Sequence, residues 1–185
     1  MEANFNTVIV TVVFCLTILE ICLIVVRSFG GYNKSPFKRN IVRVRVKKLR
    51  KNAIMPTMGS QYSAGYDLYA CVEEQVVVKA GQTVKIPTGL SIELPAGYAG
   101  LIFARSGLAT KVGLAPANKV GVCDSDYRGE YIVALHNHSS SDAVVSNSDR
   151  IAQLVIVPIL DVKFVPALIL SETERNEGGF GSTGK

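Results

Sequence analysis

The stretch GVCDSDYRGE, residues 121–130, gathers two aspartates, a tyrosine and an arginine around the turn formers Ser and Gly. Such a concentration can serve acid–base or anion chemistry, and the same letters also read as a plain hairpin with Val122 and Tyr131 on its flanking strands. SAGYDLYA (63–70) sets Asp67 behind a Gly turn, where it either satisfies backbone amides or faces a ligand. RSGLA (105–109) sets Arg105 at the mouth of a capped helical turn. The tail GGFGSTGK (178–185) spells G-x-x-x-x-G-K from Gly179, the beginning of a phosphate-cradling loop. That loop works with a strand before it and a helix after it, so the spelling alone does not assign the tail a role. No Ser-His-Asp or Cys-His arrangement follows from residue order. His136 and His138 form H-x-H on one strand face without a third ligand at suitable spacing, which reads as a pair of solvent-facing strand residues.

These groups need a scaffold, and the remaining sequence predicts an all-β one. IVRVRVKKL alternates apolar and basic residues from Ile41 to Val46, the period of a strand with one wet face. Short runs follow in EQVVVKA, QTVKIPTGLSIEL, AGLIFAR, EYIVALHNHS, DAVVSNS and RIAQLVIVPIL, each bounded by Gly, Pro, Asn, Asp or Ser. Many short strands at this spacing predict a sandwich, barrel or jelly roll. The one helical turn expected inside the domain is SGLATK, residues 106–111. From Ser171 the composition becomes polar and Gly-rich, which predicts a mobile arm over 171–185 after a β domain over 41–170.

At 185 residues and 48% apolar, the chain can bury one well-packed core. Its formal charge of +5 is unevenly placed. Residues 27–51 hold ten Lys or Arg and no acid, whereas 52–185 hold ten basic and thirteen acidic residues. A stable nucleic-acid binder would carry its basic surface on the folded domain, so that function class is not expected. The four cysteines, Cys15, Cys22, Cys71 and Cys123, make no C-x-x-C pair. Neither a disulfide framework nor a zinc site is suggested, and a reducing compartment fits.

Residues 7–26, TVIVTVVFCLTILEICLIVV, are long enough as a helix to span the roughly 30 Å hydrocarbon core of a bilayer. We read residues 1–26 as a transmembrane anchor and 27–40 as a basic linker. The flank carrying Arg27, Lys34, Lys38 and Arg39 then places the β domain on the cytoplasmic side. Glu20 opposes this reading, because a carboxylate in a spanning helix costs a few kcal/mol unless protonated or paired. A secretory signal, a mitochondrial presequence and a mistaken gene start are the competing readings, the last leaving a soluble intracellular protein.

Taken together and in order, SAGYDLYA, RSGLA, GVCDSDYRGE, DRIAQL (149–154) and RNEGGFGSTG (175–184) resemble the five motifs of the trimeric deoxyuridine triphosphatases, the dUTPases. The resemblance covers residues 41–185, and five separated motifs in order make it specific. It implies a jelly-roll-like fold, a homotrimer with shared active sites, and Mg²⁺-assisted hydrolysis of dUTP to dUMP and pyrophosphate by water attacking the α-phosphorus. Such an activity limits uracil incorporation into DNA and supplies dUMP for thymidylate synthesis. Two departures from the family pattern are Ala104, where Pro is usual, and Cys123, where an aliphatic residue is usual.

Carried over residue by residue, the resemblance makes Asp124 the water-activating base, also in contact with the sugar 3′-hydroxyl. Gln153 lies near the phosphates and the catalytic water. Arg105, Ser106 and Gly107 become phosphate ligands, and Asp67 meets the magnesium shell through water. Asn118 and the backbone of Gly121, Val122 and Cys123 meet the uracil edge on a narrow hairpin that excludes thymine's methyl group. Tyr127 lies under the deoxyribose, where a ribose hydroxyl would collide. In the tail, Arg175 meets the γ-phosphate, Phe180 stacks on uracil, and Gly181, Ser182 and Thr183 wrap the triphosphate as the arm closes. Asp126 is expected to be structural. The alternatives are a dCTP deaminase-like enzyme of similar fold, and an inactive dUTPase-like interaction module. DSDYRG with the intact arm favours the triphosphatase over the first. The joint presence of Asp67, Arg105, Asp124, Tyr127, Arg175 and Phe180 favours it over the second.

Overall fold

The computed structural model describes residues 41–179. Along the chain come β1 (Arg45–Lys48), β2 (Thr57–Met58), β3 (Tyr66–Tyr69), β4 (Val76–Val78), β5 (Thr83–Glu93) and β6 (Tyr98–Phe103). They are followed by α1 (Ser106–Lys111), β7 (Leu114–Pro116), β8 (Gly121–Cys123), β9 (Glu130–Asn137), β10 (Ala143–Val145) and β11 (Arg150–Pro158). Every pairing is antiparallel. One sheet has the order β1-β5-β9-β7, a second β2-β3-β11-β6-β8, and β10 pairs with β4. The all-β expectation holds, and α1 occupies the expected residues. Among the described residues no helix is long and apolar enough to cross a membrane. The anchor expected over 7–26 and the linker over 27–40 lie outside the described residues.

The period-two pattern explains the core. In β9, Tyr131, Val133, Leu135 and Asn137 are buried while the residues between them are not. Ile86, Leu90 and Ile92 of β5, Leu68 of β3, Ile102 of β6, and Ile151, Ala152 and Leu154 of β11 meet Tyr131, Val133 and Leu135 in one apolar cluster. β5 bends as it crosses this core, its register on β9 shifting between Pro87 and Ser91. Gly89 sits at the bend with φ +69°, and a Cβ there would lie 2.8 Å from both Ala53 Cβ and Cys71 Sγ. No larger residue fits that backbone and that space. Asn137, fully buried, donates to the carbonyl oxygens of Val78 and Ser141, which satisfies its amide and ties β9 to β4.

Two strand expectations change. β1 begins at Arg45 instead of Ile41, because a strand extends only as far as its partner, and β5 ends opposite Arg45 at Glu93. The predicted hairpin over 121–130 is not one. β8 pairs with β6, whereas β9 pairs with β5 and β7, so the intervening turn carries the chain from one sheet to the other. Turn formers between two apolar runs are visible in sequence, but the partners of those runs are set by long-range packing. After Pro158 the described chain forms no further strand. Leu160, Phe164, Leu168, Ile169 and Leu170 of this segment are all exposed.

Candidate active site

A cross-strand row of the second sheet places the first group of chemical residues. Gln153 on β11 lies opposite Asp67 on β3 and opposite Phe103 on β6. The row converges where β6 ends and α1 begins, and the Gln153 amide donates to the Ala104 carbonyl at 2.8 Å. This bond holds the segment leading into Arg105. Arg105 takes the N-cap position of α1 with extended backbone, but no side chain caps the helix, contrary to the capped turn that the sequence suggested. Its Nε instead donates to Asp67 Oδ1 at 2.8 Å. Arg150 Nη1 donates to Asp67 Oδ2 at 3.2 Å. Asp67 is therefore a buried carboxylate with a guanidinium on each oxygen.

These residues line a cavity of about 420 Å³ together with Ser63, Gly65, Ser106 and Gly107. Two arginines against one aspartate leave the cavity one positive charge in excess, an arrangement suited to a phosphate anion. Gly65 keeps the wall open, since a Cβ there would come within 3.1 Å of Gln153 Oε1. The phosphate-side set of the sequence expectation, Asp67, Arg105, Ser106, Gly107 and Gln153, is thus brought together.

Arg150 was not singled out from the sequence, although it stands in DRIAQL. It stands three positions before Gln153, and in a regular strand an odd spacing sends two side chains to opposite faces. A register shift between Arg150 and Ala152 against β3 breaks that alternation. Ile151 and Ala152 are both buried in succession, and Arg150 and Gln153 line the same cavity. The sequence carries no distinct signal of it, because apolar residues also run consecutively from Leu154 to Val157 of the same strand.

The second group lies between β8 of the same sheet and the start of β9 in the other. Asn118, Gly121, Val122, Cys123, Asp124 and Tyr127 line a smaller cavity of about 240 Å³, with Ile102, Glu130, Tyr131 and Ile132. Asn118 sits in the turn between β7 and β8, and Val122 projects into solvent at 65% exposure. The Asp124 carbonyl accepts from the Tyr127 amide, which closes the turn. The Asp124 carboxylate is exposed and makes no side-chain hydrogen bond or ion pair within the described residues. Tyr127 donates its hydroxyl to the Glu130 carbonyl at 3.0 Å, and the hydroxyl end of its ring lies against Gly129. A Cβ on Gly129 would stand 2.3 Å from the Tyr127 oxygen, so the Gly of DYRG is required by the ring.

Glu130 and Tyr131 are the contributors to this cavity that sequence reading passed over. Glu130 accepts from the Gly89 amide at 2.7 Å and from both terminal nitrogens of Arg50, tying the turn to the bend of β5. Tyr131 is buried, with its hydroxyl beside the Cys123 thiol. Burial pushes its phenol well above the ordinary tyrosine range and also raises the Cys123 thiol. Cys123 is therefore a protonated, poorly nucleophilic thiol at neutral pH.

Of the two histidines expected to face solvent from one strand, His136 is half-buried on β9 and His138 lies just past the end of that strand. Their rings meet edge to face with centroids 4.4 Å apart, His136 Nδ1 bonds Thr83 Oγ1 at 2.9 Å, and His138 is exposed. Among the described residues no group of three or more His, Cys, Asp or Glu could hold a metal ion. Of the tail residues, Arg175 is described, and Phe180, Gly181, Ser182 and Thr183 lie outside the described residues.

The model of the dUTPase family matches residues 51–184. The chain belongs to the dUTPase family. Its relatives include the deoxyuridine 5′-triphosphate nucleotidohydrolase of Desulfitobacterium hafniense, 50% identical over 148 residues that make up 78% of this chain and 98% of that protein. The dUTPase of Staphylococcus bacteriophage 80alpha, solved with dUPNHPP, superposes with a TM-score of 0.71 at 30% identity, over 77% of this chain and 99% of that one. A mutant dUTPase from phage phi11 of S. aureus, whose structure describes the coordination of a structural Mg(II) ion, superposes with a TM-score of 0.64 at 25% identity, over 70% and 99% of the two chains. Within one dUTPase chain the two cavities above remain separate, with no residue lining both.

Proposed function

We propose that this chain hydrolyses dUTP to dUMP and pyrophosphate, in a homotrimer whose active sites are shared between copies. The observation that carries the reading is the division just described: one cavity presents arginines for phosphate, the other an unpaired carboxylate beside groups suited to a nucleoside. Either half alone is an incomplete hydrolase. One copy's Asp124 cavity set against another's Arg105 cavity makes a whole site, and the exposed apolar residues 159–170 offer surface for the association.

In that site Asp124 takes a proton from water as it attacks the α-phosphorus, its freedom from other partners leaving both oxygens available. Arg105, the Ser106 and Gly107 amides, and Gln153 hold the phosphates, while Asp67 orients Arg105 and Arg150 as a rigid pair. Phosphoryl chemistry of this kind depends on charge neutralisation and on an oriented nucleophile more than on covalent catalysis. Asn118 and the β8 backbone read the uracil edge. Tyr127, fixed over Gly129, closes the space where a ribose 2′-hydroxyl would sit. Arg175 approaches the γ-phosphate, and Phe180, Gly181, Ser182 and Thr183 close over base and triphosphate.

Magnesium fits this site as part of the nucleotide. Asp67 has both oxygens engaged by guanidinium groups. It suits the outer water shell of a cation that sheds water reluctantly, and not direct coordination. Bound by the triphosphate, Mg²⁺ supplies neutralisation of the phosphate charge.

The deciding experiment compares pyrophosphate release from dUTP, dTTP, UTP and dCTP by the full chain. dUTP should be preferred by about 100-fold or more, because a polar site built for one hydrogen-bonding pattern leaves buried groups unpaired against another. Equal rates on all four would remove the selective-hydrolase reading, and ammonia release from dCTP would replace it with a deaminase.

For residues 7–26 we retain the anchor with the β domain on the cytoplasmic side, supported by their length, apolarity and basic flank. The full chain should then pellet with membranes and become soluble once residues 1–40 are removed. If both forms stay in the supernatant, the anchor is refuted.

A further inference from the structure

Arg175 sits in the acidic stretch SETERNE, flanked by Glu172, Glu174 and Glu177. On an unstructured arm those carboxylates would compete with phosphate for its guanidinium. Among the described residues, however, Arg175 forms no salt bridge with any of them, and a small hydrogen-bonded turn accounts for this. The Thr173 amide donates to Asn176 Oδ1 at 2.8 Å, and the Asn176 amide donates back to Thr173 Oγ1 at 3.0 Å. Inside that reciprocal pair, the Gly178 amide donates to the Arg175 carbonyl at 2.9 Å, and Arg175 Nε donates to the Gly178 carbonyl at 2.8 Å. Asn176 has φ +41°, in the left-handed region that Asn tolerates better than most residues.

We infer that Thr173 and Asn176 are positioning residues for Arg175. Their side chains close a preformed turn that folds the arginine's Nε back on Gly178 and leaves its two terminal nitrogens, the edge that grips phosphate in a bidentate manner, without an ion pair to the neighbouring acids. Preforming the turn removes part of the ordering cost that the arm meets when it closes on nucleotide. The inference rests on the proposed contact of Arg175 with the γ-phosphate, and its test separates the two.

Binding of dUPNHPP, which carries a γ-phosphate, and of dUMP, which does not, is measured on the full chain and on four variants. Asn176→Gly keeps the left-handed backbone but removes the acceptor, and Thr173→Val keeps the shape but removes the hydroxyl. Each should weaken dUPNHPP binding by about fivefold, the scale of losing one hydrogen bond, while leaving dUMP binding unchanged. Thr173→Ser, which keeps the oxygen, should restore the parental affinity. Arg175→Ala should weaken dUPNHPP at least as much as either loss-of-cap variant. If Arg175→Ala has no effect, the γ-phosphate contact and the inference fail together. If Arg175→Ala weakens binding while Asn176→Gly and Thr173→Val do not, or if those two weaken dUMP equally, the positioning role is overturned and the contact stands.

Discussion

Asp124→Asn is expected to bind dUTP as the parent does and to turn it over about 10²–10⁴-fold more slowly, the usual range for removal of a positioned general base. The expectation follows from how little else the carboxylate does. Its backbone carbonyl closes the turn through the Tyr127 amide, and its side chain is exposed and unpaired within the described residues. An amide of the same shape therefore leaves the turn, the Tyr127 ring and the nucleoside cavity in place while removing the proton acceptor. Single-turnover hydrolysis and equilibrium binding, measured on the same preparation with a thermal melt as control, separate the two effects. Turnover within a few-fold of the parent would exclude Asp124 as the base. Loss of binding with unchanged melting would reassign it to substrate recognition.

Removing residues 175–185 should have the second largest effect. After Pro158 the described chain adds no strand to either sheet, and residues 171–177 are all exposed. The apolar core, the two cavities and the exposed 159–170 segment all remain in the truncated chain. Its melting temperature and its sedimentation should match those of the full chain. Turnover should fall by about 100-fold or more, because the arm supplies Arg175, Phe180 and the glycine-rich segment that close the site, and loss of positioning of that kind is costly. Residual hydrolysis should still favour dUTP over dTTP and UTP, since Asn118, β8 and Tyr127 are untouched. A truncated chain that turns over at nearly the parental rate would remove the arm from the mechanism, and one that unfolds would make it part of the core instead.

The motif residues were legible in sequence because each is announced locally. Turn formers surround Asp124, a Gly turn precedes Asp67, and a short helical stretch follows Arg105. Six of the seven strand runs read from periodicity lie where they were expected, because alternating burial follows directly from a side chain's repeat along a strand. The seventh, β1, shifted because its extent depends on β5. The strands outside those seven runs, β2, β3, β7 and β8, are two to four residues long, too short to show a clear period.

What only the tertiary structure decided concerns partners distant in the chain. The run over 121–130 joins two sheets instead of forming a hairpin, since β8 finds its neighbour in β6 and β9 in β5 and β7. Arg150 joins Asp67 and Gln153 through an irregularity in the pairing of β11 with β3 that no spacing rule anticipates. Asp67 itself, expected to face a metal's water shell, is clasped by two arginines from α1's N-cap and from β11. Its neighbours across more than thirty intervening residues are fixed by sheet order and by core packing, and neither is written in the residues beside it. By itself the sequence determined which chemical groups are present and which turns carry them. The fold decided which of them share a cavity, because long-range strand pairing, and not local spacing, sets those distances.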